Sequence, residues 1–137
     1  MTIFTTMKPP MRVAIIDDNQ VYRFIAKKLI QRAAPWATLI ELHDGQQAID
    51  FMLPRRDQPS ELPGLILLDI NMPNLNGWQF LDELRKIRIA TYRPTIYIVS
   101  SSNSPEDIDA AATYPEIKGY LTKPLQMTVI EGLLAEL

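Results

Sequence analysis

Residues 64–80 read GLILLDINMPNLNGWQF. Four apolar residues, Leu65, Ile66, Leu67 and Leu68, end abruptly in Asp69. A short loop follows, in which Pro73 fixes the backbone, and a helical pattern begins around Gly77. An apolar run this short, bounded by turn residues, suits a strand buried on both faces. A carboxylate at its carboxyl end points into the loop layer, where open α/β sheets place their ligand sites. Taken alone, Asp69 reads as a solvated residue capping the loop. The other carboxyl ends of strands change that reading.

Upstream, residues 12–16 form a first strand, apolar from Val13 onward, that ends in the pair Asp17-Asp18. A helical stripe follows at Val21, Phe24, Ile25, Leu29 and Ala33, stopped by Pro35, with Arg23, Lys27, Lys28 and Arg32 on a solvated opposite face. Residues 38–42 alternate polar and apolar, as a less buried strand does. Asp44 then caps a helix, with Gln47 reaching back as in a capping box. That helix buries Ala48, Ile49, Met52 and Leu53 and stops at Pro54. His43, the only histidine, sits in the turn without a partner motif and reads as structural or exposed. Residues 54–63, with three prolines and four charges, form a long surface connection.

Downstream, Asn76 caps a helix whose buried stripe is Phe80, Leu81, Leu84 and Ile87. Residues 95–99 are rich in β-branched side chains and read as a fourth strand, ending in Ser100, Ser101 and Ser102. Ser104-Pro105-Glu106-Asp107 is a helix start: a cap, a proline at the first position and acids in the first turn. Residues 117–121 give a fifth strand, Lys123-Pro124 follows, and a last helix carries Leu125, Val129, Ile130, Leu133, Leu134 and Leu137.

Five βα units call for one α/β domain: a doubly wound, five-stranded parallel sheet with helices on both faces. Strands one, three and four are the most apolar and belong in the centre, so the order is 2-1-3-4-5. That order puts the topological switch between strands one and three, where Asp17, Asp18 and Asp69 end.

Composition narrows the function classes. The absence of cysteine excludes disulfides, thiolate metal sites and cysteine nucleophiles. A formal charge of −2 gives no electrostatic case for direct nucleic-acid binding. No apolar run approaches the ~20 residues of a membrane span, and the start MTIFTTMKPP lacks a signal-peptide pattern. A cytoplasmic protein is expected, with residues 1–10 as a short tail.

Three converging carboxylates repel one another, so at least one is pushed toward protonation. A hard divalent cation relieves that repulsion, and Mg²⁺ takes oxygen ligands while keeping sites for water or phosphate. Ser100, at the end of strand four, and Lys123, just after strand five, arrive at the same place. A cation, a lysine and a hydroxyl around one carboxylate would stabilise a transferring phosphoryl group, with Asp69 as nucleophile forming an acyl phosphate.

With these residues placed, the chain resembles the receiver domain of bacterial two-component response regulators, the CheY-like members of the flavodoxin-like fold. The matching pieces are IIDDN at 15–19, LLDINMPNLNG at 67–77, VSSSN at 99–103 and GYLTKPL at 119–125. The resemblance spans 11–137, essentially the whole chain. It implies that Asp69 is the phosphoacceptor. It also implies a Mg²⁺ site, open to Mn²⁺, formed by Asp18, Asp69 and the Asn71 carbonyl, with Asp17 acting through water. Ser100 would be the switch hydroxyl, Tyr120 the aromatic that rotates inward with it, and Lys123 the contact to phosphoryl oxygens. Lys123-Pro124 is expected to be cis. Ser101 is small enough to admit a phosphoryl group, while Asn71 and Ser102 flank the acceptor and influence hydrolytic water.

The resemblance implies phosphorylation by a sensor histidine kinase and a switched protein–protein interface formed by the fourth helix, fifth strand and fifth helix. That face is also a candidate for homodimerisation. Because the last helix ends at Leu137, a stand-alone receiver with no output domain is expected. Such a protein is no conventional enzyme, since it catalyses only its own phosphorylation and dephosphorylation. One alternative is a phosphorelay intermediate that passes the group to a histidine phosphotransfer protein. Another is a receiver-shaped docking module that is never phosphorylated. A flavin mononucleotide binder is disfavoured by the acidic pair after strand one, which repels phosphate. A hydrolytic phosphatase lacks its second acid, because that position is Asn71.

Overall fold

The computed structural model describes residues 11–137; the expected tail at 1–10 lies outside the described residues. Among the described residues five β-strands alternate with five α-helices: β1 (Arg12–Ile16), α1 (Gln20–Ala33), β2 (Thr38–Leu42), α2 (Gly45–Met52), β3 (Leu65–Leu68), α3 (Gly77–Ile87), β4 (Thr95–Ser100), α4 (Pro105–Ala112), β5 (Ile117–Thr122) and α5 (Met127–Ala135). All strand pairs are parallel and their order is β2-β1-β3-β4-β5, as the apolar content of the strands requires.

Alternation along each central strand sends side chains into two separate cores. Ala14, Ile16, Ile66, Leu68, Ile96 and Ile98 pack with Ala48, Met52, Phe80, Leu81 and Ala111, from α2, α3 and α4. Val13, Ile15, Leu65, Leu67, Tyr97 and Val99 pack with Ala26, Ile30, Ile130 and Leu133, from α1 and α5. The register pairs Ile16 with Leu68 and Leu68 with Ile98. The residues that follow these strand ends therefore emerge at one level.

The helix starts are chemically explicit. Asn19 Oδ1 accepts from the amides of Val21 and Tyr22, and Ser104 Oγ from that of Asp107. Asn76 and Gln79 form a reciprocal capping box. At α2 the capping box is shifted: Asp44 accepts from the Gln47 amide, but the Gln47 side chain accepts from His43 N rather than from Asp44 N. His43 itself is exposed.

Four further expectations need correction. In α1 the buried positions are Ala26 and Ile30, with Tyr22, Ile25, Leu29 and Ala33 half-buried; Val21 is 66% and Phe24 57% exposed. Apolar residues occupy two overlapping stripes there, and bulk favours the one with Phe24 while the sheet takes the one with small Ala26. The basic face of α1 is also not wholly solvated. Arg23 Nη1 donates to the Asp17 carbonyl at 2.6 Å, and Lys27 pairs with Glu41 of β2 at 3.3 Å. At the end of α2, Leu53 is 40% exposed because Pro54 turns the chain into a 3₁₀ turn over Leu53–Arg55. Finally, α5 excludes Leu125 and Leu137, and Val129 faces outward; Ile130 and Leu133 anchor the helix.

The 54–63 connection holds a second 3₁₀ turn, Pro59–Glu61, and its end is packed rather than loose. Leu62 is buried, and the Tyr92 hydroxyl donates to the Pro63 carbonyl. No helix among the described residues is long and apolar enough to cross a membrane.

Candidate functional site

The site lies where β1, β3, β4 and β5 end. Each strand hands its next residue to its neighbour: the Asp17 amide donates to Leu42 O, the Asp69 amide to Ile16 O, and the Lys123 amide to Ser100 O at 2.8 Å. Backbone hydrogen bonds of this kind fix where the side chains begin, so the site inherits the rigidity of the sheet. The Lys123-Pro124 peptide is cis, as the sequence suggested.

Asp17 and Asp69 are each 5% exposed, whereas Asp18 is exposed. Asp17 Oδ1 accepts from the Asn19 amide, and Asp69 Oδ1 from the Ile70 amide, both at 2.9 Å. Lys123 reaches in from just after β5: its ammonium is 2.6 Å from Asp17 Oδ2 and 3.7 Å from Asp69 Oδ1. The lysine thus pairs with Asp17 and stands beyond hydrogen-bond distance of Asp69. Burial, and after it the Asp17 carboxylate, push the Asp69 carboxyl up to about 7, against the pull of Lys123. One ammonium does not neutralise three carboxylates.

Carboxylate oxygens of Asp17, Asp18 and Asp69 lie within 4.8 Å of one another. Hard oxygen donors, an uncompensated negative charge and one exposed member fit a divalent cation, and the triad is able to bind one. Asn71, two residues beyond Asp69, is exposed in the following loop. That loop is clamped at both ends. The Gly77 amide donates to Ile70 O, and a Cβ at Gly77 would lie 2.5 Å from the Asp69 carbonyl oxygen. Asn74 takes a positive φ of 65° and its side chain donates to Asp44 Oδ2, while the Gly45 amide donates to Leu75 O.

The serines at the end of β4 are linked to β5. Ser100 is fully buried and its Oγ accepts from the Ser102 amide at 3.0 Å. Ser102 Oγ donates to Asp107 Oδ2 at 2.6 Å. The Tyr120 hydroxyl donates to the Ser102 carbonyl at 2.7 Å. Ser101 is exposed. The structure therefore brings Asp17, Asp18, Asp69 and Lys123 together, and ties Tyr120 to the loop that begins at Ser100.

Two neighbours were not assigned to the site from the sequence: Tyr22, and Arg23, which was read as part of a solvated face. Tyr22 lines the cleft with Asp17, Asp69 and Lys123, and its ring centre is 4.3 Å from the Lys123 ammonium. The Arg23 guanidinium donates to the Asp17 carbonyl. Both were hidden by the misplaced stripe of α1; the signal that would have found them is their position one helical turn after the acidic pair.

Residues 13–135 match the family model of the response regulator receiver domain. The chain belongs to that family. Its curated relatives include the nitrate/nitrite response regulator protein NarL of Escherichia coli K12, 34% identical over 117 residues. That match covers 85% of this chain and 50% of NarL, so the chain spans about half the length of that relative. Response regulator Rcp1 of Synechocystis is 29% identical over 117 residues, covering 84% of this chain and 78% of Rcp1. Among solved structures, a two-component response regulator from Cytophaga hutchinsonii superposes with a TM-score of 0.82 at 24% identity, covering 94% of this chain and 97% of its own. A receiver protein from Dyadobacter fermentans gives 0.76 at 29% identity, covering 92% and 96%. The receiver fold and its acidic pocket are thus established together.

Proposed function

We propose that this receiver domain accepts a phosphoryl group on Asp69 from a sensor histidine kinase and, in doing so, switches the interactions of the α4–β5–α5 face. The observation that carries the reading is the convergence of Asp17, Asp18 and Asp69 with a single buried lysine against them. Burial and the Asp17 carboxylate raise the Asp69 carboxyl, a cost at neutral pH that a bound divalent cation would relieve.

In the proposed step an Asp69 carboxylate oxygen attacks phosphorus in line. The new O–P bond gives an acyl phosphate as the P–N bond to the kinase histidine breaks, and the departing imidazole keeps the bonding electron pair and takes up a proton. A divalent cation bound by Asp18, Asp69 and the Asn71 carbonyl, with Asp17 acting through water, would neutralise charge on the phosphoryl oxygens. Mg²⁺ suits that oxygen set and Mn²⁺ can substitute; a solved structure of Rcp1, 22% identical, is described as its Mn²⁺-bound form. Lys123 leaves Asp17 to meet the phosphoryl group, Ser100 donates its hydroxyl to it, and Tyr120 follows the loop of Ser102. Ser101, flanking Ser100, leaves room for the group.

Incubation with Mg²⁺ and acetyl phosphate tests the acceptor chemistry. Intact mass should show one phosphoryl adduct on the wild type and none on Asp69→Asn. An adduct on both proteins would place the acceptor elsewhere and overturn the reading.

A further inference from the structure

Tyr22 closes the α1 side of the cleft and has no part in the step above. Its ring centre lies 4.3 Å from the Lys123 ammonium, whose side chain is only 5% exposed. A buried ammonium loses its water and has three N–H directions to satisfy. Asp17 satisfies one at 2.6 Å, and Asp69 at 3.7 Å offers attraction without a hydrogen bond. An aromatic face is negative and attracts a cation, most strongly where water is excluded.

The choice of an aromatic face has a consequence that a third carboxylate would not. A carboxylate would trap the ammonium through a directed hydrogen bond. A ring face attracts it over a broad area and leaves it free to slide from Asp17 toward Asp69. It also narrows the many rotamers of a four-methylene side chain to those within reach of both acids.

We propose that Tyr22 is a positioning residue for phosphoryl transfer: its ring face keeps the Lys123 ammonium between Asp17 and Asp69, poised to move onto a phosphoryl oxygen. The proposal rests on the phosphoacceptor reading of Asp69. If Tyr22 were merely packing between α1 and the sheet, an apolar side chain of similar bulk would serve as well.

Three proteins decide it: wild type, Tyr22→Phe, which keeps the ring, and Tyr22→Leu, which keeps apolar bulk. The initial rate of adduct formation with acetyl phosphate and Mg²⁺ should fall about fivefold or more in Tyr22→Leu and be restored to within about twofold in Tyr22→Phe. The Mg²⁺ dissociation constant, measured by titration calorimetry, should stay within about twofold in both variants. The Lys123 ε-methylene protons, read by NMR without any phosphorylation, should be shifted upfield by the ring in wild type and Tyr22→Phe and not in Tyr22→Leu. A wild-type rate in Tyr22→Leu overturns the proposal, as does a Tyr22→Phe protein as slow as Tyr22→Leu. Loss of Mg²⁺ affinity together with rate would assign Tyr22 to structure and also overturn it. A wild type that takes no adduct removes the phosphoacceptor reading and this inference with it, whereas a normal adduct with an indifferent Tyr22→Leu removes this inference alone.

Discussion

Asp69 is held near pH 7 by burial and by Asp17, while an exposed carboxyl titrates near 3.8. Between those values the folded protein binds a proton that the unfolded chain has already released, so stability must fall as pH rises through that window. Without a divalent cation, the thermal midpoint is therefore expected to drop from pH 5 to pH 8. Asp69→Asn should flatten the drop and be on the order of 1–2 kcal/mol more stable than wild type at pH 8, less than the full shift because the buried site relaxes around the charge. Added Mg²⁺ should restore the wild type and leave Asp69→Asn nearly unmoved. Parallel pH profiles for the two proteins would show that Asp69 carries no such strain. This part of the site was legible in the sequence because each carboxylate follows an apolar strand, and a strand end fixes a side chain's place in an open sheet. Tyr22 and Arg23 were not, because a helix offers several faces and their face was assigned one residue out of phase.

The loop between β3 and α3 shows how elements hold that acid. Gly77 opens α3, where alanine would ordinarily favour the helix by about 1 kcal/mol. Here a Cβ would meet the Asp69 carbonyl oxygen at 2.5 Å and the Ile70 Cα at 3.0 Å. Both are backbone atoms and neither can rotate away. Gly77→Ala should therefore destabilise the protein by about 2 kcal/mol in denaturant unfolding and weaken Mg²⁺ affinity, because relief requires the backbone of Asp69 to move. A gain in stability would show that the loop yields freely. The strand order was readable from apolar content, and the starts of α3 and α4 from their caps, since these signals are local. The exposed Leu53 and the loss of Leu125 from α5 were not, because Leu53 falls just past the end of α2 and Leu125 just before the start of α5, and apolar character alone carries no such boundary. The docking of Asn74 on Asp44 spans 30 residues of sequence, and nothing local encodes it.

At the scale of the molecule, the sheet separates a layer of α1 and α5 from a layer of α2, α3 and α4, and the acidic site touches both. On the second layer a chain of contacts leaves the site: Ser100 Oγ holds the Ser102 amide, and the Ser102 carbonyl holds the Tyr120 hydroxyl of β5. Farther along, Trp78 of α3 stacks on Tyr114 at 5.5 Å, and Arg85 pairs with Glu116, so α3 clasps the turn between α4 and β5. One end of α4 is thus free to follow Ser102 while the other is fastened. If Ser100 turns its hydroxyl to a phosphoryl group, the Ser102 amide loses its acceptor, and the loop that carries the partner of Tyr120 must resettle. Amide exchange at 101–104 and 117–122 should then change on phosphorylation, by about fivefold or more, while 12–52 beyond the acidic turn stays constant. Ser100→Ala should still accept the phosphoryl group at Asp69 but lose most of the change at 117–122. If Ser100→Ala transmits the change undiminished, the hydroxyl is not the link, and the route from the site to β5 must run through Lys123, whose amide already hangs from the Ser100 carbonyl.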